Sequence, residues 1–150
     1  IEILEALYIV FLAHPHSRDI ARSLLKSPKL YFYDIGLVRG DKGLVFDNLV
    51  ALCLLKRLSF LEDGDGRRRS LGYLRTKEGR EVDFILVEEG EPTLMVEAKA
   101  SERALSPTLR YFHGRYGIPG LQLVLDIRQD YDEDGLAVRR AADWLSALEL

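Results

Sequence analysis

The sequence predicts an α/β sandwich with a mixed sheet, and three observations carry that expectation. Two β-rich runs, residues 81–87 and 93–99, flank the turn-like stretch Glu88-Glu89-Gly90-Glu91-Pro92. A long apolar stretch with helical character follows Asp41. An amphipathic helical pattern over residues 104–116 then separates the second run from the strongly apolar residues 121–127. A helix crossing between those two strands makes them parallel neighbours, with a right-handed connection.

Taken in order, residues 1–8 have helical apolar spacing and residues 8–13 read as a strand. His14-Pro15-His16-Ser17 breaks it, residues 19–26 read as a short helix or strand, and Ser27-Pro28 breaks again. Residues 29–33 read as a strand, and Asp34 starts a turn into Ile35-Gly36-Leu37. Asp41 is the expected N-cap of a helix to about Leu58, apolar nearly all round and so expected at the centre of the core. Asp47 and Asn48 are its rare polar members, and Asp47 shares a face with Val50, Ala51 and Leu54. An acid there also suits the helix dipole without any further role. Residues 62–69 read as a flexible charged loop, whose three arginines are better explained by solvation than by phosphate contact. Residues 71–76 read as a strand and 77–80 as a turn. In the 104–116 helix Leu105, Leu109 and Phe112 face inward, with Arg103, Arg110 and Arg115 outward. A strand at 136–139 and a closing helix at 141–148 complete the chain, so the order from Asp41 is helix, three strands, helix, strand.

A chain of 150 residues fits one domain with a sizeable core. Its net charge of −3 excludes a global basic field, so any nucleic-acid site has to be a local patch. The longest apolar runs, 6–13 and 49–55, are too short to span a bilayer. The single cysteine, Cys53, excludes an internal disulfide, reads as a core residue and suits a reducing cytoplasm, the expected location. The chain starts at Ile1 and has one methionine, Met95, which reads as a piece of a longer protein. It contains no phosphate-binding glycine loop, so ATP is expected only through a module outside this sequence. His14, His16 and His113 read as loop and surface residues.

Asp83, Glu97 and Lys99 are the most informative residues. A hairpin centred on Gly90 pairs Val87 with Thr93, Ile85 with Met95 and Asp83 with Glu97. By strand alternation Asp83, Ile85 and Val87 share one face, with Thr93, Met95, Glu97 and Lys99 facing them. Two carboxylates then stand side by side, which is destabilising unless a cation lies between them. Oxygen donors so placed suit Mg²⁺ or Mn²⁺ and phosphodiester chemistry. Two other readings stand beside this one. The pair could lie at a solvated sheet end, with Glu81 and Lys99 as a cross-strand ion pair; a one-residue slip would put the carboxylates on opposite faces.

The acid on the first helix, then Asp83, then Glu97-Ala98-Lys99, in an αβββαβ order, resembles the PD-(D/E)XK nuclease superfamily. More closely, Pro28-Lys29-Leu30-Tyr31-Phe32-Tyr33-Asp34-Ile35-Gly36-Leu37, Phe46-Asp47-Asn48, Glu81-Val82-Asp83-Phe84 and Val96-Glu97-Ala98-Lys99 look like the C-terminal domain of unknown function attached to AAA-type ATPases of bacteria and archaea. The resemblance implies a restriction endonuclease-like core over residues 29–150, preceded at 1–28 by the tail of a winged-helix segment. It implies Mg²⁺ or Mn²⁺ held by Asp83, Glu97, the Ala98 carbonyl and Asp47, where the family usually has glutamate. Lys99 would act on the phosphate or water, and Glu81 would orient Lys99. Arg75, Lys77, Arg80, Arg103 and Arg110 are the candidates for DNA backbone contacts, which position without reading sequence. Three functions follow: a metal-dependent nuclease domain of an ATPase, a non-catalytic DNA- or protein-binding module, or a structural partner that makes an oligomer. Fold alone does not choose among them.

Overall fold

The computed structural model describes residues 1–16, 27–101 and 104–148. The segment 19–26 and Arg103, for which expectations were stated, lie outside the described residues. The elements are α1 (Glu2–Ala6), β1 (Val10–Pro15), β2 (Lys29–Phe32), a 3-10 turn (Ile35–Leu37), α2 (Lys42–Asp65), β3 (Arg69–Arg75), β4 (Glu81–Glu88), β5 (Glu91–Lys99), α3 (Pro107–Tyr116), β6 (Gly120–Val124), β7 (Tyr131–Glu133), β8 (Leu136–Arg140) and α4 (Ala141–Ser146). The strands form a mixed eight-stranded sheet in the order β2-β1-β3-β4-β5-β6-β8-β7. β3, β4 and β5 are an antiparallel meander, and β5 and β6 are parallel across α3, as the crossover argument requires. β1 runs parallel to β3 and antiparallel to β2, so strands from both sides of residue 28 share one sheet. Among the described residues, no helix is long and apolar enough to cross a membrane.

Two apolar layers hold the sheet. On one face Phe46, Val50, Ala51 and Leu54 of α2 pack on Phe84 and Val96. On the other, Leu109 and Phe112 of α3 pack on Val82, Ile85, Val87 and Met95. Burying each such large side chain contributes roughly 1.5–3 kcal/mol.

α2 starts where expected, because the Asp41 carboxylate accepts the Leu44 N–H at 3.0 Å. It does not end near Leu58. It continues through the acidic stretch read as a loop, to a left-handed cap at Gly66 (φ 73°). The reason is Arg69, whose side chain is only 6% exposed. Its guanidinium donates to Asp65 at 2.6 and 2.8 Å and lies 2.7 Å from Glu88, while its N–H donates to Glu62 at 2.7 Å. Those bonds tie the last helical turn to β3 and β4. Nor is α2 buried all round: Leu44 and Phe60 are exposed and Cys53 is half-buried, so one face alone meets the sheet.

The β4–β5 hairpin turns on Glu89 and Gly90, both with positive φ (50° and 86°), the twist a two-residue hairpin turn needs. Val87 therefore pairs with Pro92 rather than Thr93. A one-residue irregularity then restores the expected Ile85–Met95 pair. Thr93 absorbs the extra step, its hydroxyl donating to the Leu86 carbonyl at 3.1 Å. β7 was not expected; it forms a hairpin with β8 through Asp134-Gly135, again both at positive φ.

Edge strand β2 is anchored by Asn48, which is buried. Its amide accepts the Phe32 N–H and donates to the Phe32 carbonyl, both at 2.8 Å. Asn48→Leu keeps the volume but leaves both backbone groups without that partner. A loss of about 2–4 kcal/mol in urea unfolding is expected, since each stranded polar group costs roughly 1–3 kcal/mol. An unchanged midpoint would show that α2 does not anchor β2.

Candidate functional site

The site forms where β4 loses its alternation. Gly72 pairs with Ile85 and Leu74 with Val82, so Tyr73 alone faces both Asp83 and Phe84: a bulge. Its effect shows in the packing, for Phe84 belongs to the α2 layer while both Val82 and Ile85 belong to the α3 layer. Asp83 and Glu81 are thereby turned toward α2, away from the face of Ile85 and Val87. This corrects the expected side-by-side placement of Asp83 and Glu97. The Ile85–Met95 pair is as expected, but the ladder stops at Phe84–Val96, and the bulge has the effect of a one-residue slip on Asp83. Glu97 stays with Met95 on the α3 side, near the Ser106 hydroxyl at the start of α3. The Asp83 carboxylate reaches across the end of the ladder and accepts the Ala98 N–H at 3.1 Å.

On the α2 side, Asp83 and Glu81 meet Asp47 and two residues of β2. Tyr31 donates its hydroxyl to Asp47 Oδ2 at 3.1 Å. Lys29 Nζ lies 2.7 Å from Glu81 Oε1 and 3.6 Å from Asp83 Oδ1. It also reaches the Asp83 carbonyl at 3.5 Å and sits 5.3 Å from the centre of the Tyr73 ring. Lys29 and Tyr31 were absent from the sequence-derived site. Their spacing of two on a strand puts both on one face, which was the available signal.

Burial sets the electrostatics. It is the largest cause pushing the Asp47 carboxyl up to about 6, with the Asp83 charge adding and Lys29 opposing. Burial likewise raises Glu97, against the Ser106 hydrogen bond and the Lys99 charge, and again Asp83 adds. Tyr31 is raised by burial first and then by Asp47. Asp83 is thus the charge felt by acids on both sides of the sheet. Asp47 Oδ1 and Glu97 Oε2 are buried without a hydrogen-bond partner, although Lys99 Nζ stands 3.5 Å from the latter. Each is an oxygen of the type a hard divalent cation takes, but the two lie on opposite sides of the sheet and do not form one donor set. Among the described residues, no group of three or more His, Cys, Asp or Glu is already gathered in a metal-holding arrangement.

The basic candidates are differently placed. Arg110 is held by Glu133 and Asp134, and Arg75 lies 3.7 Å from Glu81. Arg80 stacks 4.3 Å from the Tyr111 ring centre, and Lys77 is exposed in the turn after β3.

Two family models match the chain. One, described as a domain of unknown function (DUF4143), matches residues 42–138, the greater part of the sequence. The other, described as a domain of unknown function (DUF8612), matches residues 1–44. No curated protein and no solved structure matches the chain.

Asp47 makes a measurable demand on stability. With its carboxyl raised from 3.8 to about 6, the folded state binds more protons than the unfolded state between those values. Metal-free stability therefore falls as pH rises through that window. Asp47→Asn removes the penalty. It should unfold later than the parent at pH 7 with chelator, by on the order of 2 kcal/mol, and match it at pH 4. Equal or lower stability of the variant at pH 7 would refute the account of Asp47.

Proposed function

The chain belongs to the DUF4143 family, and we propose that it is a nuclease-like domain that hydrolyses phosphodiester bonds in DNA with Mg²⁺ or Mn²⁺, as the C-terminal part of an AAA-type ATPase. The observation that carries the reading is Asp83. Its charge reaches Asp47 on one side and Glu97 on the other, and both of those carry an unbonded buried oxygen. The element order α2-β3-β4-β5-α3-β6 supports a restriction endonuclease-like core, to whose sheet β1 also belongs.

In this reading Asp83, Glu97 and the Ala98 carbonyl would hold the cation with Asp47 contributing from α2, and Glu97 would have to turn from the α3 side to join them. The bound cation supplies Lewis-acid polarisation of a phosphate oxygen. Tyr31 fixes Asp47 by its hydroxyl bond, leaving the other carboxylate oxygen for a ligand. Ala98 N–H fixes Asp83 in the same way. Lys99, 3.5 Å from Glu97, would supply positive charge against the negative charge that builds on a phosphate. Lys77 and Arg80, both exposed, would be the contacts to backbone phosphates.

A second reading, a non-catalytic DNA- or protein-binding or oligomer-forming module of the ATPase, is favoured by the acids that already pair with Arg69, Arg75 and Arg110. The two readings separate by calorimetry and cleavage. Mn²⁺ should bind the parent, and Asp83→Asn and Glu97→Gln should abolish binding. Lys99→Ala should retain binding but lower cleavage of plasmid DNA by about a hundredfold or more. No binding at millimolar Mn²⁺, with DNA present, would dismiss the nuclease and leave the binding module.

A further inference from the structure

The outer surface of α3 carries two strips of different character. Arg110 and His113 turn toward the β7–β8 hairpin, Arg110 to Glu133 and Asp134, and His113 close above Gly135. Tyr111, Arg115 and Tyr116 form the other strip, beside the turn that joins β3 to β4. Arg80 of that turn lies 4.3 Å from the Tyr111 ring centre. Arg115 lies 5.6 Å from the Tyr116 ring centre, and its Nε donates to the Tyr116 hydroxyl at 3.2 Å. That bond first, and Tyr111 next, raise the Arg115 guanidinium above its ordinary range, so Arg115 stands near both rings. The strip is two guanidinium–tyrosine pairs side by side.

Helical spacing builds it, since 111 and 115, and 112 and 116, are neighbours four apart. Phe112 is 3% exposed and backs both tyrosines. Its ring is 5.3 Å and 85° from Tyr111, and 6.0 Å and 25° from Tyr116. Tyr116 therefore lies nearly flat against a buried ring, yet is itself 57% exposed. A ring already held flat gives up little freedom when a second planar group stacks on it.

Charge selects that group. Lys77, Arg80 and Arg115 are exposed cations here, with Glu78 as the acid that faces them. In a chain of net charge −3 this is a local basic patch, the form a nucleic-acid contact has to take. Phosphates suit the cations and bases suit the rings. In a duplex the bases are stacked on one another, whereas a single strand has its base faces to offer.

We propose that this strip is a binding surface for single-stranded nucleic acid, with bases stacked on Tyr116 and on the Arg80–Tyr111 pair, and phosphates held by Arg115 and Lys77. The proposal shares Lys77 and Arg80 with the nuclease reading but calls for no metal ion and no cleavage.

The test is fluorescence anisotropy in the presence of chelator, with the 150-residue chain titrated into a labelled mixed-sequence DNA strand, its RNA counterpart and the DNA duplex. Circular dichroism and a melting curve establish that each variant is folded. The parent should bind one or both single strands more tightly than the duplex. Tyr116→Ala should weaken that binding about tenfold or more, the size of one lost stacking contact. Tyr116→Leu, which still covers Phe112, serves the same purpose if the alanine variant proves unfolded. Tyr116→Phe keeps the ring and should bind as the parent does. Arg115→Gln should flatten the log–log salt dependence by about 0.7. Unchanged binding by Tyr116→Ala or Tyr116→Leu, an unchanged salt slope in Arg115→Gln, or a parent that prefers the duplex would each overturn the proposal. So would a polyglutamate chain that competes as well as the oligonucleotide, because charge alone would then be read. A parent that binds no single strand while plasmid cleavage with Mn²⁺ persists would overturn it and leave the nuclease reading standing. Strand binding that depends on Tyr116 in a chain that cleaves nothing would support it without that reading.

Discussion

The double hydrogen bond between Asn48 and the Phe32 backbone is the constraint on which the site depends. β2 is an edge strand of four residues, paired on one side only. A strand that short has little ladder to hold it, and Asn48 supplies a second attachment from the helix beneath. Once Phe32 is fixed, Tyr31 and Lys29 are fixed with it. Tyr31 points into the α2 layer, ring against Phe11 and Phe84, and delivers its hydroxyl to Asp47. Asp47 and Asn48 are neighbours on one helix turn, so a single stretch of α2 both anchors β2 and receives its Tyr31.

The second constraint is the bulge at Asp83-Phe84. Regular alternation would bury Asp83 among Ile85, Val87 and the α3 side chains, where an unpaired carboxylate is costly. The extra residue takes Asp83 out of that layer and leaves Phe84 to fill the α2 layer in its place. Ala98 N–H, at the end of the β5 ladder, and Lys29 then become its partners. Tyr73, opposite the bulge, serves twice: its ring lies beside Lys29, and its hydroxyl donates to the Ser27 carbonyl at 2.7 Å, just before β2 begins. Gly72 next to it is where β1 passes closely, since a side chain there would meet the His14 carbonyl at 2.7 Å. β1, and through it β2, therefore reach the sheet at the same point as the bulge.

What could be read from the sequence was local. Asp41 caps its own helix three residues on, and the β4–β5 turn and the apolar run before Val124 announce themselves within a few positions. The helical course of residues 62–65 was hidden because what holds it is Arg69, which bonds Glu62 and Asp65 from a strand position opposite Glu88. The β7–β8 hairpin had a readable signal in Asp134-Gly135, a pair suited to positive φ, and was missed for want of a strong apolar alternation before it. Within the site, Asp47, Asp83, Glu97 and Lys99 could be chosen by type and order. Lys29 could not, because its partner Asp83 lies 54 positions away and its own strand looks like ordinary core. The bulge was equally unreadable: nothing in Glu81-Val82-Asp83-Phe84 distinguishes a regular strand from one with an extra residue.

That long-range origin changes what the acids on this sheet mean. Judged by residue type, Asp83 and Glu97 are a pair of like charges in need of a cation. In the fold they are separated by the β5 backbone, each with a lysine near it, Lys29 for one and Lys99 for the other. The buried oxygens without a hydrogen bond are instead those of Asp47 and Glu97, the latter with Lys99 3.5 Å away, and they flank Asp83 from opposite sides. Asp83 is the acid whose charge reaches each of them. The electrostatics of the site are thus governed by the residue that the bulge displaced, and by the ammonium that β2 brings to meet it.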